Sequence, residues 1–159
     1  NFLSFVKKPQ PISEETDVNT LIKEVISMVS LAKDADRIDF DIKALKTLPA
    51  VEADPFELRM AFLNIIQNAV QAMPTGGRLT VKSGVQYGRI FIEITDTGAG
   101  IPKEIGDRIF NPFFTTKQQG TGLGLAIVHK IIEAHGGKIE FRTRHGKGTT
   151  FIIRLPIKR

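Results

Sequence analysis

Two pairs of segments with alternating apolar and polar residues constrain the fold of this chain most strongly. The first pair, RLTVKSGV and RIFIEITD, is joined across a loop expected to contain Gly84 and Gly88, and the second pair is KIEFRTR and TTFIIRLP. Alternation is typical of strands with one buried face, and short glycine-containing connections are typical of β-hairpins. The sequence therefore predicts an antiparallel sheet with an apolar face that other elements must cover.

Segments with apolar residues at helical spacing provide such a cover. They are predicted at residues 17–32, 54–73 and 124–136, and a further strand is predicted at 37–42. The second helix begins with a capping Asp, a Pro at the first helical position and Glu57 in capping-box position. The order of elements predicts an α+β fold, a two-layer α/β sandwich in which helices cover one face of a mixed, mostly antiparallel sheet.

Composition limits the class of protein further. With 159 residues, 42% of them hydrophobic, the chain suits one compact domain, and the lack of cysteine removes disulfides and thiolate metal sites. No apolar run reaches the roughly 18 residues of a membrane span and no leader is recognisable, so a soluble, cytoplasmic protein is expected. The net charge of +5 is scattered along the chain, which indicates a solvated surface and no nucleic-acid partner.

One face of the second helix carries uncharged polar residues, Asn64, Asn68 and Gln71, at i, i+4 and i+7. Asparagine is a poor helix former, so two of them within a helix cost stability. A carboxamide oxygen that ligates Mg²⁺ at a phosphate site compensates for this cost. The alternative is an ordinary solvated helix face.

Asp96 ends a strand on the same face as Ile90, Ile92 and Ile94, which is an unusual direction for a charge. Gly98 and Gly100 follow, so the chain turns there and allows a ligand to approach the backbone closely. An exocyclic amine such as that of adenine satisfies such a carboxylate. The alternative is a strand-end Asp that caps its own turn.

Three glycines at alternate positions, Gly120, Gly122 and Gly124, lead into the third helix. Free N–H groups and the positive end of the helix dipole make this helix start suitable for phosphate. The alternative is an ordinary junction between a loop and a helix.

In chain order, NIIQNAVQAM, DTGAGI, FNPFFTTK and GTGLGLAIVHKIIEAHGG resemble the asparagine box, first glycine box, phenylalanine box and second glycine box of sensor histidine kinases. These kinases share a superfamily with DNA gyrase and heat-shock chaperone ATPases. The resemblance covers nearly the whole chain from about Asp17 and is closest to the nitrogen-regulator subgroup.

The resemblance implies that ATP and Mg²⁺ are cofactors and that Asn64, Asn68 and Lys117 are catalytic. Asn68 is the implied Mg²⁺ ligand, and Asp96 is the implied acceptor of the adenine amine. A long lid over the nucleotide is implied from about 105 to 121, anchored by phenylalanines at 110, 113 and 114. The other residues implied to bind the nucleotide are Gly98, Gly100, Ile101, Phe110, Gly120, Thr121, Gly122, Leu123, Gly124, Leu125 and, through water, Thr149 or Thr150.

The resemblance also implies transfer of the γ-phosphoryl group of ATP to a histidine on a dimerisation and histidine-phosphotransfer domain, and onward signalling to a response regulator. The family's acceptor histidine is typically followed by an acidic residue, which is absent after His129, His135 and His145. We therefore expect the acceptor upstream, with residues 1–10 forming the end of a dimerisation helix and a linker, and 11–159 the catalytic domain. We expect this chain, as a fragment of a longer kinase, to be monomeric and the full-length kinase to be a homodimer. The sequence does not determine whether the full-length kinase is anchored in a membrane.

Two departures from the family pattern bear on activity. Many histidine kinases have a Lys and an aromatic residue where this chain has Gln71 and Ala72, so a phosphate contact from Gln71 is not expected. Hydrolytic members of the superfamily carry a Glu one helical turn before the Mg²⁺ asparagine, whereas this chain has Asn64, which implies slow hydrolysis. The alternatives are a clamp-type ATPase of the same superfamily and a non-enzymatic basic nucleic-acid-binding module.

Overall fold

The structure, a computed structural model, describes residues 12–106, 108–111 and 124–157. The expected end of a dimerisation helix at residues 1–10 lies outside this part of the chain. The elements in chain order are β1 (Glu14–Thr16), α1 (Val18–Val29), a 3₁₀ turn (Lys33–Ala35), β2 (Ile38–Ala44), β3 (Val51–Ala53), α2 (Pro55–Gln71), β4 (Gly77–Gln86), β5 (Arg89–Asp96), α3 (Lys103–Gly106), α4 (Gly124–Ala134), β6 (Lys138–Arg144) and β7 (Gly148–Pro156).

The main sheet has five strands in the order β2-β4-β5-β7-β6. β2 pairs with β4 in parallel, and the other three pairings are antiparallel. One face of the sheet forms the core with the apolar faces of α1, α2 and α4. The predicted two-layer α+β sandwich with a mixed, mostly antiparallel sheet is confirmed.

The turns of the two hairpins differ from the prediction by a few residues. Gly84 lies within β4 and not in the loop. A Cβ at this position would lie 2.8 Å from the ring of Phe91, its partner on β5, which explains why the strand has a glycine here. The turn itself is Tyr87-Gly88, with φ of 54° and 72°. Two central residues with positive φ are the pattern of a type I′ turn, whose twist matches that of antiparallel strands. In the second hairpin the turn lies at residues 145–147, and Gly148 begins β7.

Three short elements have no counterpart in the sequence prediction. β1 and β3 pair as a separate two-stranded antiparallel sheet, and α3 forms where the sequence predicts neither a helix nor a strand. Each has only three or four residues, too few for a hydrophobic period to be recognised. β3 leads directly into the start of α2, so this small sheet sets where that helix begins.

The predicted N-cap of α2 is confirmed, and His135 takes part in it. Asp54 Oδ1 accepts from the N–H groups of Phe56 and Glu57 at 3.0 and 3.3 Å. The N–H of Asp54 donates to Nε2 of His135 at 3.0 Å, and Nδ1 of His135 lies 2.7 Å from the carbonyl oxygen of Ile131. His135 is therefore the tautomer with its proton on Nδ1, and it fastens the end of α4 to the start of α2.

We expect His135→Ala to lower the free energy of unfolding by about 1–3 kcal/mol, because the N–H of Asp54 loses its acceptor. Urea unfolding followed by circular dichroism measures this change. His145→Ala is the matched control, since His145 is exposed in the turn between β6 and β7, and should leave the unfolding midpoint unchanged. Equal midpoints for the two variants would contradict the role given to His135.

Candidate functional site

Asp96 ends β5 and is only 5% exposed, with its side chain on the same face as the buried isoleucines of that strand. Its Oδ1 accepts from the N–H of Gly98 at 2.9 Å and from the N–H of Thr149 at 3.3 Å. Its Oδ2 accepts no hydrogen bond from the residues that the structure describes. The two interpretations of this aspartate are therefore compatible, since one oxygen caps the turn and the other is available to a ligand.

Burial raises the pKa of Asp96 above its ordinary value, and the hydrogen bonds from Gly98 and Thr149 only partly offset this effect. The carboxylate therefore costs stability when it is ionised. A ligand that donates a hydrogen bond to Oδ2 offsets part of that cost. The buried end of β5 thus favours a ligand with an N–H or O–H group.

Close packing within the protein explains the two glycines after Asp96. A Cβ at Gly98 would collide with the carbonyl oxygen of Ala72 at the end of α2. Gly100 has φ of +78°, and a Cβ there would lie 2.5 Å from the carbonyl oxygen of Arg144. The atoms nearest these two glycines therefore belong to the protein itself, and the glycines allow the loop to pack closely between α2 and the β6–β7 hairpin.

The structure separates the two threonines that the sequence offers as alternatives. Thr149 is 6% exposed, and its backbone N–H donates a hydrogen bond to Oδ1 of Asp96. Thr150 projects from the opposite face of the sheet, where its hydroxyl lies 2.9 Å from that of Thr95. Because neighbouring residues of a strand point to opposite faces, only Thr149 lies beside Asp96.

Asn64 lies where α2 meets the start of α4. Its Nδ2 donates to the carbonyl oxygen of Met60 at 2.9 Å, and a Cβ at Gly124 would lie 3.2 Å from its Oδ1. Asn68 is half-buried one turn further along the same face, whereas Gln71 is exposed. The asparagine face of α2 therefore borders the N-terminus of α4.

Asn64, Asn68 and Ala72 form one row along α2, with Gly124 at one end and Gly98 at the other. Eight residues of α-helix span roughly 12 Å. The row therefore connects the Asp96 loop to the N-terminus of α4 over a length that suits a nucleoside triphosphate better than a base alone.

Phe110 anchors the segment that follows α3. Its ring centroid lies 6.0 Å from that of Phe141, 6.3 Å from that of Phe151 and 5.6 Å from that of His129.

Several residues that the sequence predicts at the site lie outside the described part of the chain: Phe113, Phe114, Lys117, Gly120, Thr121, Gly122 and Leu123.

Two further site predictions pack against the core. Ile101 and Leu125 are both half-buried there. The N–H of Ile101 also donates to Oγ1 of Thr143 at 2.8 Å, which links the loop after β5 to β6. Thr143 had no sequence signal, because a threonine in an alternating strand is unremarkable in composition.

The described residues contain no cluster of three His, Asp or Glu side chains arranged to hold a metal ion. None of the helices between residues 12 and 157, the gaps at 107 and 112–123 aside, is long and apolar enough to cross a membrane.

Comparison with known proteins matches residues 53–159 to the family of histidine kinase-, DNA gyrase B- and HSP90-like ATPases. Sensor histidine kinase ZraS of Escherichia coli K12 is 41% identical over 155 residues, which cover 98% of this chain and 33% of that protein. The chain thus spans about a third of the length of this curated relative.

Solved structures of histidine kinases are similar in fold. The catalytic domain of histidine kinase ThkA has a TM-score of 0.80 and 37% identity, covering 91% of this chain and 95% of that chain. ThkA in complex with the response regulator TrrA has a TM-score of 0.77 and 32% identity, and the match covers 92% of this chain and 42% of that chain. Full-length ShkA in complex with AMPPNP has a TM-score of 0.82 and 29% identity, and the match covers 98% of this chain and 34% of that chain.

Proposed function

The chain belongs to the family of histidine kinase-, DNA gyrase B- and HSP90-like ATPases and is a catalytic domain of the sensor histidine kinase type, and we propose that it donates the γ-phosphoryl group of ATP to a histidine. The observation that carries this proposal is the buried Asp96, whose Oδ1 accepts from two backbone N–H groups while its Oδ2 accepts no hydrogen bond from the described part of the chain. The adenine amine donates to this second oxygen.

The triphosphate then extends along the asparagine row of α2 toward α4. α4 begins at Gly124, where the absence of a side chain leaves room beside Asn64. Backbone N–H groups at a helix N-terminus and the positive end of the helix dipole stabilise phosphate there. We propose that Gly120, Thr121, Gly122 and Leu123 continue this phosphate-binding turn and that Lys117 neutralises phosphate charge.

Asn68 fits a magnesium ligand by its chemistry. Mg²⁺ at a nucleotide takes oxygen ligands from one or two side chains and from the phosphates, and keeps several waters. The carboxamide of Asn68 offers such an oxygen on the same helix face as Asn64. Asn68 would hold Mg²⁺ from this face of α2, and the ion would supply positive charge that offsets the phosphate charge during transfer.

Asn64 makes hydrolysis by this domain slow. A carboxamide does not accept a proton from water, and Nδ2 of Asn64 already donates to Met60. Water is therefore not activated from this position of α2, and the γ-phosphoryl group is transferred when a histidine of the partner domain approaches in line. The bond between the γ-phosphorus and the bridging oxygen breaks, a bond to the imidazole nitrogen forms, and ADP is released.

The proposed partners are the dimerisation and histidine-phosphotransfer domain of the same kinase and a response regulator. ThkA has been solved with a response regulator, which supports the second partner. We propose that the full-length kinase is a homodimer and that this domain acts in the cytoplasm. The basic residues near the C-terminus give little support to nucleic-acid binding, since Arg142 pairs with Glu93 and Arg154 with Glu140.

We expect the affinity for ATP to fall on acidification through the raised pKa of Asp96. The ionised carboxylate accepts from the adenine amine, and protonation removes that acceptor at a higher pH than for an exposed aspartate. Calorimetric titration at a series of acidic pH values measures this loss. Asp96→Asn, which has no proton to gain at this position, reports the contribution of the phosphates, and parallel profiles for the two proteins would exclude Asp96 as the titrating group.

Phosphoryl transfer from ³²P-labelled ATP to a supplied acceptor-histidine domain tests the proposed function. We expect a labelled acceptor and little free phosphate. Rapid release of phosphate without labelling would favour a clamp-type ATPase, and a folded chain that binds no nucleotide would refute both functions.

A further inference from the structure

Thr143 lies at the centre of a hydroxyl network behind Asp96. It is half-buried on β6, in register with Thr149 on β7. Its Oγ1 lies 2.8 Å from the backbone nitrogen of Ile101, 3.2 Å from the carbonyl oxygen of Gly148 and 3.0 Å from Oγ1 of Thr149. These contacts join the loop after β5 to the β6–β7 hairpin.

The number of protons in this network determines the direction of each hydrogen bond. A threonine hydroxyl donates one proton and accepts with two lone pairs. Because the carbonyl oxygen of Gly148 only accepts, Thr143 donates to it and accepts from the N–H of Ile101 and from the hydroxyl of Thr149. Only this arrangement makes all three contacts hydrogen bonds, and it uses the single side-chain proton of Thr149.

We infer that Thr143 is a positioning residue that determines nucleotide specificity by keeping the hydroxyl proton of Thr149 directed away from the ligand. Thr149 is held beside Asp96 by its backbone N–H, which donates to Oδ1 at 3.3 Å. Oγ1 of Thr149 and Oδ2 of Asp96 then both offer lone pairs and no proton.

This pair of acceptors suits an exocyclic amine, which donates to them directly or through water, and disfavours a carbonyl oxygen at the same position of the base. The inference rests on the proposed binding of adenine at Asp96. It assigns the preference for a 6-amino over a 6-oxo purine to Thr143 together with the aspartate.

Thr143→Val tests the inference, because valine has nearly the same shape and no hydroxyl. We expect the dissociation constant for ATP to rise about 3- to 10-fold, the effect of one hydrogen bond. Inosine triphosphate has a carbonyl in place of the amine, so the variant's affinity for it should fall less than that for ATP, or rise. The ratio of ATP to inosine triphosphate affinity therefore decreases. Thr143→Ser keeps the hydroxyl and should restore the preference.

Thr95→Val is the matched control. It removes the hydroxyl contact between Thr95 and Thr150, 2.9 Å long, from the opposite face of the same sheet. Both nucleotide affinities should stay unchanged in this variant. Thermal unfolding of each variant establishes that the protein measured is folded.

A folded Thr143→Val protein that keeps the wild-type ratio of ATP to inosine triphosphate affinity would overturn the inference. If this variant does not fold, Thr143→Ala supplies the same test, since it also removes the hydroxyl that accepts from Thr149 and should narrow the ratio. Asp96→Asn separates the two proposals. If Asp96→Asn also leaves the affinity for ATP unchanged, the proposed adenine site is wrong. If Asp96→Asn lowers the affinity for ATP but Thr143→Val does not change the ratio of ATP to inosine triphosphate affinity, only the role of Thr143 is refuted.

Discussion

Asp96→Asn is expected to weaken ATP binding by about 100-fold or more while the domain stays folded. The asparagine keeps an oxygen for the N–H groups of Gly98 and Thr149, but its amide N–H groups replace the lone pairs that the adenine amine needs. A hydrogen bond to a charged group contributes about 1.5–3 kcal/mol, and two opposed donors add a desolvation cost of about 1–3 kcal/mol. The loss should be smaller for inosine triphosphate, whose carbonyl accepts from the new amide.

The same substitution should not lower the stability of the unliganded domain. The pKa of Asp96 is raised in the folded state, so the ionised carboxylate opposes folding, and its unfavourable contribution grows as pH rises from the unfolded to the folded pKa. At neutral pH the variant should therefore be at least as stable as the wild type, and this advantage should disappear in acid below the ordinary pKa of aspartate.

Calorimetric titration and thermal unfolding measure the two effects of Asp96→Asn. Asp39→Asn is the matched control, because Asp39 is exposed and pairs with Arg78 on the sheet surface, so ATP affinity should not change. Wild-type affinity in a folded Asp96→Asn protein would remove Asp96 from the site.

Asn68→Ala should reduce both the affinity for ATP in the presence of Mg²⁺ and the rate of phosphoryl transfer by about 10- to 100-fold, a range typical of disturbed metal sites. Without Mg²⁺ the affinity should change much less, because the carboxamide acts through the metal ion. Alanine is a better helix former than asparagine, so α2 is expected to remain intact.

Titration with AMPPNP, with and without Mg²⁺, separates a metal ligand from a direct contact with the nucleotide. Gln67→Ala is the matched control, since Gln67 is an exposed carboxamide on the same helix, and both affinities should stay at the wild-type values. Equal losses for Asn68→Ala in the two conditions would argue against a role in binding Mg²⁺.

The large elements were predictable because their hydrophobic periods extend over many residues. α1 and α2 have long apolar stripes and aspartate N-caps, and both hairpins alternate regularly. Gly84 was placed wrongly because a glycine in a strand and a glycine in a loop look alike in sequence. Only the position of Phe91 across the strand pair reveals the difference.

The alternation of side chains along β7 predicts which threonine lies at the site, which the motif alone does not. Thr149 points to the same face of β7 as the buried Phe151 and Ile153, whereas Thr150 points to the opposite face. The alternation of β7 therefore distinguishes the two threonines by sequence position. In contrast, the contact between His135 and Asp54 joins residues far apart in the chain, and the hydroxyl network of Thr143 depends on how a loop packs onto a hairpin, so neither follows from local sequence.

A crystal structure of the domain with AMPPNP and Mg²⁺ would show where the adenine and the phosphates bind. We expect the exocyclic nitrogen of adenine to lie about 2.8–3.0 Å from Oδ2 of Asp96, with the phosphates at the N-terminus of α4. An adenine bound elsewhere, or an Oδ2 that faces only protein atoms or water in the complex, would contradict it.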